Sequence, residues 1–252
     1  MRRSMIIAAA LVRDLIRKKD LYILAVLGMV FLVYTGRMVF FHEANVSRYF
    51  REAAQSIVLL FSLFVSVPFT AKLMIEETRE GTIYPLLAKP VTRAEVVAGK
   101  YLGALLVSGS AFSLFYGIFM LAALLTRESV PLILYAQAYL FGILMLGLLC
   151  AVVLLLSMCM TFAASVTLGY LVYFLMSWFG AAMREQFLAL PGIGPVLYYV
   201  LPHFEFFDIR HRLVHVWEPL PAWVVLTVTA YAVIYSGLLV AWAQAIFKRK
   251  WL

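Results

Sequence analysis

Residues 130–183 read VPLILYAQAYLFGILMLGLLCAVVLLLSMCMTFAASVTLGYLVYFLMSWFGAAM and contain no Asp, Glu, Lys, Arg or His. A transmembrane helix needs about 20 mostly apolar residues, because each residue adds about 1.5 Å of rise and the hydrocarbon core is about 30 Å thick. The run is therefore too long for one membrane-spanning helix and long enough for two. We expect it to divide near residues 157–160, giving spans at about 131–156 and 160–183.

Four further apolar stretches are long enough to cross a membrane, and they lie at about residues 21–40, 54–75, 101–125 and 222–247. The first is interrupted by Arg37, whose long side chain can reach the membrane interface. The second contains Pro68, where we expect a kink. Together with the two spans in residues 130–183, these stretches predict six transmembrane helices.

The composition also indicates a membrane protein. Of the 252 residues, 65% are hydrophobic and 13% are charged, and the mean hydropathy is +0.96. A soluble domain has roughly 45–50% apolar and about 25% charged residues, and it cannot bury this much apolar surface. These values exclude a water-soluble globular protein, a disordered chain and a disulfide-stabilised secreted domain. We therefore expect an all-α polytopic membrane protein, with a single transmembrane domain over residues 1–252.

The positions of Lys and Arg indicate how the chain is oriented. With six spans both termini lie on one side, and about two thirds of the 21 Lys and Arg residues then fall in segments on that side. Because cytoplasmic loops collect Lys and Arg, we expect both termini in the cytoplasm. The same rule accounts for the net charge of +8 without a nucleic-acid partner.

The predicted spans hold almost no ionisable residues, which limits the mechanism. Ion-coupled carriers and pumps generally need buried charged groups, so a carrier or channel is disfavoured. No Ser–His or paired-carboxylate pattern suited to hydrolysis falls at membrane depth. Residues 99–101 read Gly-Lys-Tyr, whereas a Walker A loop ends in Gly-Lys-Ser/Thr. We expect no enzymatic activity and no cofactor in this chain, and a driving force supplied from outside the membrane.

The loop between the second and third spans carries the most informative pattern. Residues 76–100 read EETREGTIYPLLAKPVTRAEVVAGK. Gly81 suits a helix C-terminus, and Thr82 can then cap a short helix that Pro90 ends. Residues 92–95 have the Thr-x-x-Glu spacing of a capping box, which predicts the start of the next helix.

The short helix in this loop would be apolar although it lies on the water side. It contains Ile83, Tyr84, Leu86 and Leu87. These side chains can lie against the bilayer or the helix bundle, or they can fit a groove on a soluble partner. The residue pattern alone leaves both explanations open.

An acidic group precedes this helix. Glu76, Glu77 and Glu80 would lie at the end of the second helix, where negative charge is unfavourable to the helix dipole. Cations on a partner would relieve this, so the group is consistent with docking. The alternative is a solvated surface in which these carboxylates pair with Arg93, each pair contributing less than about 1 kcal/mol.

The loop resembles the membrane subunit of ABC-2-type exporters. In that family the segment after the second span forms a coupling helix that contacts the ATP-binding subunit. The resemblance implies a cytoplasmic coupling helix here, and it favours docking over the bilayer alternative. The residues that carry it are Glu77, Gly81, Thr82, Leu86, Leu87, Pro90, Arg93, Gly99 and Lys100, and all but the last two would form the transmission segment.

The resemblance also implies the composition of the complex. The chain would be the permease of an ABC exporter in a bacterial cytoplasmic (inner) membrane, with ATP and Mg²⁺ bound on a separate subunit. Because six spans are half of the twelve usual in this family, a second copy or a related permease is implied. The alternative class is a non-transporting scaffold, or a mechanotransmission subunit that uses the same ATPase contact.

Two flanking segments complete the predicted architecture. Residues 4–20 alternate apolar side chains with Arg and Lys, which predicts an amphipathic helix lying on the cytoplasmic interface. It can be a simple anchor, or by resemblance it can border the ATPase. Between the fifth and sixth spans, residues 184–221 form the longest outer loop. Its stretch 187–195 is apolar and broken by Pro and Gly, and the resemblance implies re-entrant helices here.

A cluster in the same outer loop has the residue types of a metal site. A histidine pair spaced i and i+4 would share one helical face, as zinc and copper ligands often do. An ordinary solvated role is the simpler explanation, so we predict no metal site. The candidate ligands are His203, Glu205, Asp208, His211 and His215.

Overall fold

The computed structural model describes residues 26–28, 30, 46–79, 92–125, 131–189, 198 and 200–250, and the elements in these ranges are all helical. Two short helices lie between the last two long ones, a 3₁₀ helix at Phe204–Phe207 and α5 at Arg210–His215. The long helices are α1 Val46–Arg79, α2 Arg93–Leu125, α3 Leu132–Cys159, α4 Phe162–Ala189 and α6 Ala222–Lys250.

Within these residues, five helices are long and apolar enough to cross a membrane. They correspond to the second to sixth predicted spans, and the charge-free run divides at Met160, as predicted, because its extended backbone separates α3 from α4. The predicted first span, residues 21–40, lies outside the described residues except for four helical positions. The interfacial helix predicted at 4–20 lies outside them entirely.

The first two long helices are longer than the spans that the sequence predicts. α1 has 34 residues and α2 has 33, so each is about 50 Å long against a hydrocarbon core of about 30 Å. α2 begins eight positions before the predicted start of the third span at residue 101. Both helices are therefore longer than the hydrocarbon core is thick.

The helices alternate in direction, which gives the bundle two distinct ends. The cap end carries the 3₁₀ helix and α5, together with the starts of α1, α3 and α6. Arg51 near the start of α1 reaches Val214 at this end, and Gln137 near the start of α3 reaches Leu220. The opposite end carries the end of α1 and the start of α2, and we call it the loop end.

The centre of the bundle is α3. Its side chains are apolar on all sides, and a helix of this kind is stable when it is surrounded by other apolar groups. In the part of the chain that the structure describes, α3 packs against α1, α2, α4 and α6. α6 lies at the periphery, with Trp223, Leu226 and Trp242 exposed, as expected for side chains that face lipid.

Gly28 lies close to α1 and α2. A Cβ atom added at Gly28 would lie 3.1 Å from the ring of Phe115 and 3.6 Å from the ring of Phe61. These two rings are themselves in contact, with centroids 5.8 Å apart. Gly28 therefore lies against this pair of rings, where a small residue allows close approach.

An aromatic layer joins α2 to α3. Phe112 stacks on Tyr139 with ring centroids 5.8 Å apart, and it also contacts Tyr116 at 5.4 Å. The opposing position on α3 is Gly142, where an added Cβ would lie only 2.2 Å from the Phe112 ring. Any larger residue would have to displace a buried ring that neighbouring rings hold in place.

We predict that Gly142→Ala lowers the free energy of unfolding by roughly 1–3 kcal/mol, because overpacking a fixed core costs about that much. Gly237→Ala is the matched control, since a Cβ there would meet nothing within 4 Å. Thermal unfolding in detergent measures both variants, and the control should be neutral or slightly stabilised. Equal stability of the two variants would contradict the packing of Phe112 on Gly142.

Candidate coupling site

The residues expected to form the coupling site fall partly in the described chain. Glu76 and Glu77 lie in the last turn of α1, and Arg93 is the first residue of α2. The remaining candidates lie outside the described residues, namely Glu80, Gly81, Thr82, Ile83, Tyr84, Leu86, Leu87 and Pro90. The structure therefore describes the two helices that hold this segment.

The start of α2 is fixed by the capping box that the sequence predicts. The Thr92 backbone N–H donates to Glu95 Oε2 over 2.9 Å, and the Thr92 hydroxyl lies 3.0 Å from the same oxygen. In return, the Glu95 N–H donates to Thr92 Oγ1 over 3.3 Å. These reciprocal bonds satisfy N–H groups that a helix start otherwise leaves without partners.

Lys100 joins α2 to α1. Only 1% of its surface is exposed, and its Nζ donates to the backbone carbonyl of Leu73. The sequence predicts Lys100 in the loop before the third span, whereas the structure places it inside α2. It lies on the same helical face as the buried residues Val97 and Ala104, one turn away on either side.

Two further hydrogen bonds join the start of α2 to the end of α6. Arg93 Nη1 donates to the Lys248 carbonyl over 3.4 Å, and Gln244 Nε2 donates to the Ala94 carbonyl over 3.4 Å. α2 is therefore held on two sides at the loop end, by α1 through Lys100 and by α6 through its C-terminal turns.

A separate apolar cluster lies beneath these bonds. It draws on α1, α2, α3 and α6, whereas none of its described members comes from α4. The helices joined by the polar contacts at the loop end therefore also share an apolar core there. Its buried members are Met74, Val97, Ala151, Leu154, Met158, Val240, Ala243 and Phe247.

At the cap end, α1 holds the segment that contains α5. Arg51 is 5% exposed, and its Nη2 donates to the Val214 carbonyl over 2.9 Å. The Arg210 Nη1 lies 3.4 Å from the Ser56 hydroxyl, one turn further along α1. α5 ends in left-handed backbone at Val216, with φ of 52°.

An ion pair orders the start of α5. The Arg210 guanidinium donates to both carboxylate oxygens of Asp208, over 2.9 Å and 2.5 Å. Burial raises the pKa of the Asp208 carboxyl, but the hydrogen bonds and charge of Arg210 outweigh it, so the pKa lies below its ordinary value. The same pairing raises the pKa of Arg210.

The cap end is also attached to α3. The Gln137 Nε2 donates to the Leu220 carbonyl over 2.8 Å, and the Leu220 N–H donates to Gln137 Oε1 over 3.0 Å. One side chain thus satisfies both backbone groups of a residue just before α6. This arrangement joins the segment just before α6 to the start of α3.

The five metal-ligand candidates do not converge. The rings of His211 and His215 lie nearly parallel with centroids 6.5 Å apart, and Asp208 is engaged by Arg210. His203 Nδ1 lies 3.8 Å from Glu205, and burial lowers the pKa of His203 more than Glu205 raises it. Within the described ranges, three such side chains are nowhere grouped to hold one ion.

The sequence analysis did not identify three polar residues that form hydrogen bonds between different segments of the fold. Lys100, Arg51 and Gln137 each bond a backbone carbonyl on another segment. Their sequence signal is weak, because a single polar residue near the end of an apolar run reads as an interfacial residue. Only the isolated Gln137 inside the charge-free run was detectable in principle, since a buried amide needs partners.

We predict that Thr92→Ala loosens the start of α2 by about 1 kcal/mol, because it removes the capping hydroxyl. Trypsin cleavage after Arg93, quantified by mass spectrometry in detergent, should accelerate about fivefold. Thr92→Ser retains the hydroxyl and is the matched control, so it should be cleaved at the wild-type rate. Equal cleavage of all three proteins would show that the box does not stabilise this helix start.

We predict that the cap end loses stability in acid. A carboxyl whose pKa is lowered on folding stabilises the fold above its unfolded pKa of about 3.9 and loses this effect as the pH falls through the folded value. Asp208→Asn should cost roughly 1.5 kcal/mol at pH 7, and the cost should shrink as the pH falls through the folded pKa of Asp208. Thermal unfolding from pH 7 to pH 2 measures this, with exposed Glu218→Gln as control. A cost that does not depend on pH would refute the role of the ion pair.

A comparison with known protein families agrees with this architecture. The family model described as ABC-2 family transporter protein matches residues 5–249. No individual curated protein matches the chain. The family match extends well beyond the loop at residues 76–100, over all of the long helices described above, and it confirms the resemblance seen in that loop. The chain therefore belongs to the ABC-2 family of transporter proteins, as a membrane component of an ABC transporter.

Proposed function

We propose that this chain is the permease of an ABC exporter and that a separate ATP-binding subunit drives it by docking on residues 76–100. The observation that carries the proposal is the family match over residues 5–249. The arrangement of α1 and α2 supports it, since both helices are longer than the hydrocarbon is thick and residues 80–91 join them at the loop end.

The proposed mechanism uses the ends of α1 and α2 as the receiving element. A segment held between two long helices transmits a displacement to both of them. The capping box at Thr92 makes the start of α2 a rigid end, because its first N–H groups are satisfied within the protein. ATP binding and hydrolysis on the partner would thus tilt α1 and α2 and alternate access to a pathway.

The proposed orientation places the loop end in the cytoplasm. Lys248 and Arg249 are exposed at the end of α6, on the same side as Arg93. Positive side chains at one end of a bundle are typical of the cytoplasmic side. The cap end would then face the outside of a bacterial inner membrane, and both termini would be cytoplasmic.

The proposed complex contains two permeases and two kinds of subunit. ATP and Mg²⁺ would bind on the ATP-binding subunit and not on this chain. A second copy of this chain, or a related permease, would complete the pathway. Peripheral α6, with its exposed aromatic and aliphatic side chains, leaves apolar surface available to lipid and to such a copy.

We predict that an ATP-binding protein co-purifies with this chain from its native membrane in mild detergent. Changing Leu86 and Leu87 together to Asp should lower the recovered ATPase at least tenfold, because charges cannot enter an apolar groove. Val216→Asp combined with Trp217→Asp is the matched control, as it places the same two charges on adjacent exposed apolar residues at the cap end. The amount of bound protein is measured by quantitative mass spectrometry.

Two results would contradict the proposal. The first is wild-type protein that is correctly folded and brings down no ATPase. The second is undiminished binding to the Leu86/Leu87 variant, which would place the docking surface elsewhere. Thermal unfolding of each variant shows that it is folded.

A further inference from the structure

We propose that Lys100 is a positioning residue that clamps α2 to α1, so that the two helices flanking the coupling segment move as one unit. This inference rests on the proposed function. It identifies the residue through which displacement of residues 76–100 reaches the rest of the bundle. The observation that carries it is the hydrogen bond from Lys100 Nζ to the Leu73 carbonyl.

The burial of Lys100 is unusual and requires a cause. A lysine near a membrane interface normally extends its amine to water, since its stem is long enough to do so. Lys100 instead has 1% of its surface exposed. A polar group withdrawn from water costs free energy unless it is bonded, and the carbonyl of Leu73 supplies a bond, because a helical carbonyl can accept a second donor.

The position of the clamp suits transmission. Lys100 lies seven residues from the start of α2, and Leu73 lies six residues from the end of α1. At about 1.5 Å per residue, Lys100 and Leu73 each lie about 10 Å along their helix from the end that adjoins the coupling segment. A displacement of that segment therefore acts on two helices that are hydrogen-bonded to each other at nearly the same distance from their ends.

α1 then connects the clamp to the cap end. From Leu73 to Arg51, α1 covers about 33 Å of helix, and Arg51 holds the Val214 carbonyl over 2.9 Å. Ser56 on the same helix contacts Arg210. A displacement of α1 therefore acts on α5 through direct bonds. The bond of Lys100 to Leu73 therefore lies on the direct route from the start of α2 through α1 to the cap end.

The contact itself is tested first, in the chain without a partner. Lys100→Met keeps an unbranched side chain of similar volume, one atom shorter, and removes the donor. Hydrogen exchange followed by mass spectrometry should then be about fivefold faster in residues 73–79 and 93–100. Lys100→Arg retains a donor and should exchange nearly as the wild type. Lys72→Met is the matched control, since it makes the same change one residue from Leu73 at a position that is only partly buried.

Transmission is tested in the complex with the co-purified ATPase. Adding a non-hydrolysable ATP analogue to wild type should change hydrogen exchange in residues 204–216 at the cap end. In Lys100→Met this change should fall at least threefold, although the amount of bound ATPase stays the same. Lys100→Arg should restore it. If Lys100 had only a structural role, Lys100→Met would not reduce the hydrogen-exchange response at the cap end while leaving the amount of bound ATPase unchanged.

Several outcomes would overturn the inference. Exchange in Lys100→Met equal to wild type would show that the clamp is absent. An undiminished response at the cap end, or an equal loss in Lys72→Met, would show that Lys100 is not the transmitting residue. Loss of ATPase binding in Lys100→Met would make it a docking or folding residue. Failure of wild type to bind any ATPase would instead refute the proposed function, and transmission with it.

Discussion

Backbone polar groups at membrane depth must find their partners inside the protein, and the rest of this structure depends on that constraint. It requires helices, because only a helix or a closed barrel satisfies its own backbone in hydrocarbon. It also determines where side-chain hydroxyls go. In α1, Ser62, Ser66 and Thr70 each donate to the carbonyl four residues earlier. Polar residues can thus line the inside of the bundle without leaving unsatisfied groups in lipid.

The same constraint makes the cross-helix bonds informative. In the middle of the described bundle they come from hydroxyl groups that lie within apolar and aromatic packing, as between Ser113 and Tyr139 over 2.7 Å and from the Tyr101 hydroxyl to the Gly147 carbonyl over 3.3 Å. At the two ends they come from longer cationic or amide side chains, from Lys100 and Arg93 at one end and from Arg51 and Gln137 at the other. Directional bonds thus join particular neighbours at both ends and in the middle of the bundle.

The sequence predicts those features that depend on long runs or fixed local spacing. The division of residues 130–183 into two spans follows from length alone, and the capping box of Thr92 and Glu95 follows from a four-residue pattern. Lys100, Arg51 and Gln137 are different, because each bonds a backbone carbonyl far away in the chain. A backbone carbonyl carries no side-chain signature, so the sequence cannot identify it as an acceptor. The role of such a residue becomes visible only once the helices are placed.

Pro68 removes one backbone hydrogen bond from the middle of α1. It lies between Leu73, which Lys100 holds, and Ser56 and Arg51, which hold the cap end. Because proline lacks an N–H, the helix is missing one backbone bond at this point, and the neighbouring hydroxyls of Ser66 and Thr70 already occupy carbonyls of their own turn. A helix anchored at both ends and weakened between them bends at the weak point when one end is displaced. Movement at the loop end would thus reach the cap end as a change in the angle of α1, and the anchors would determine its direction.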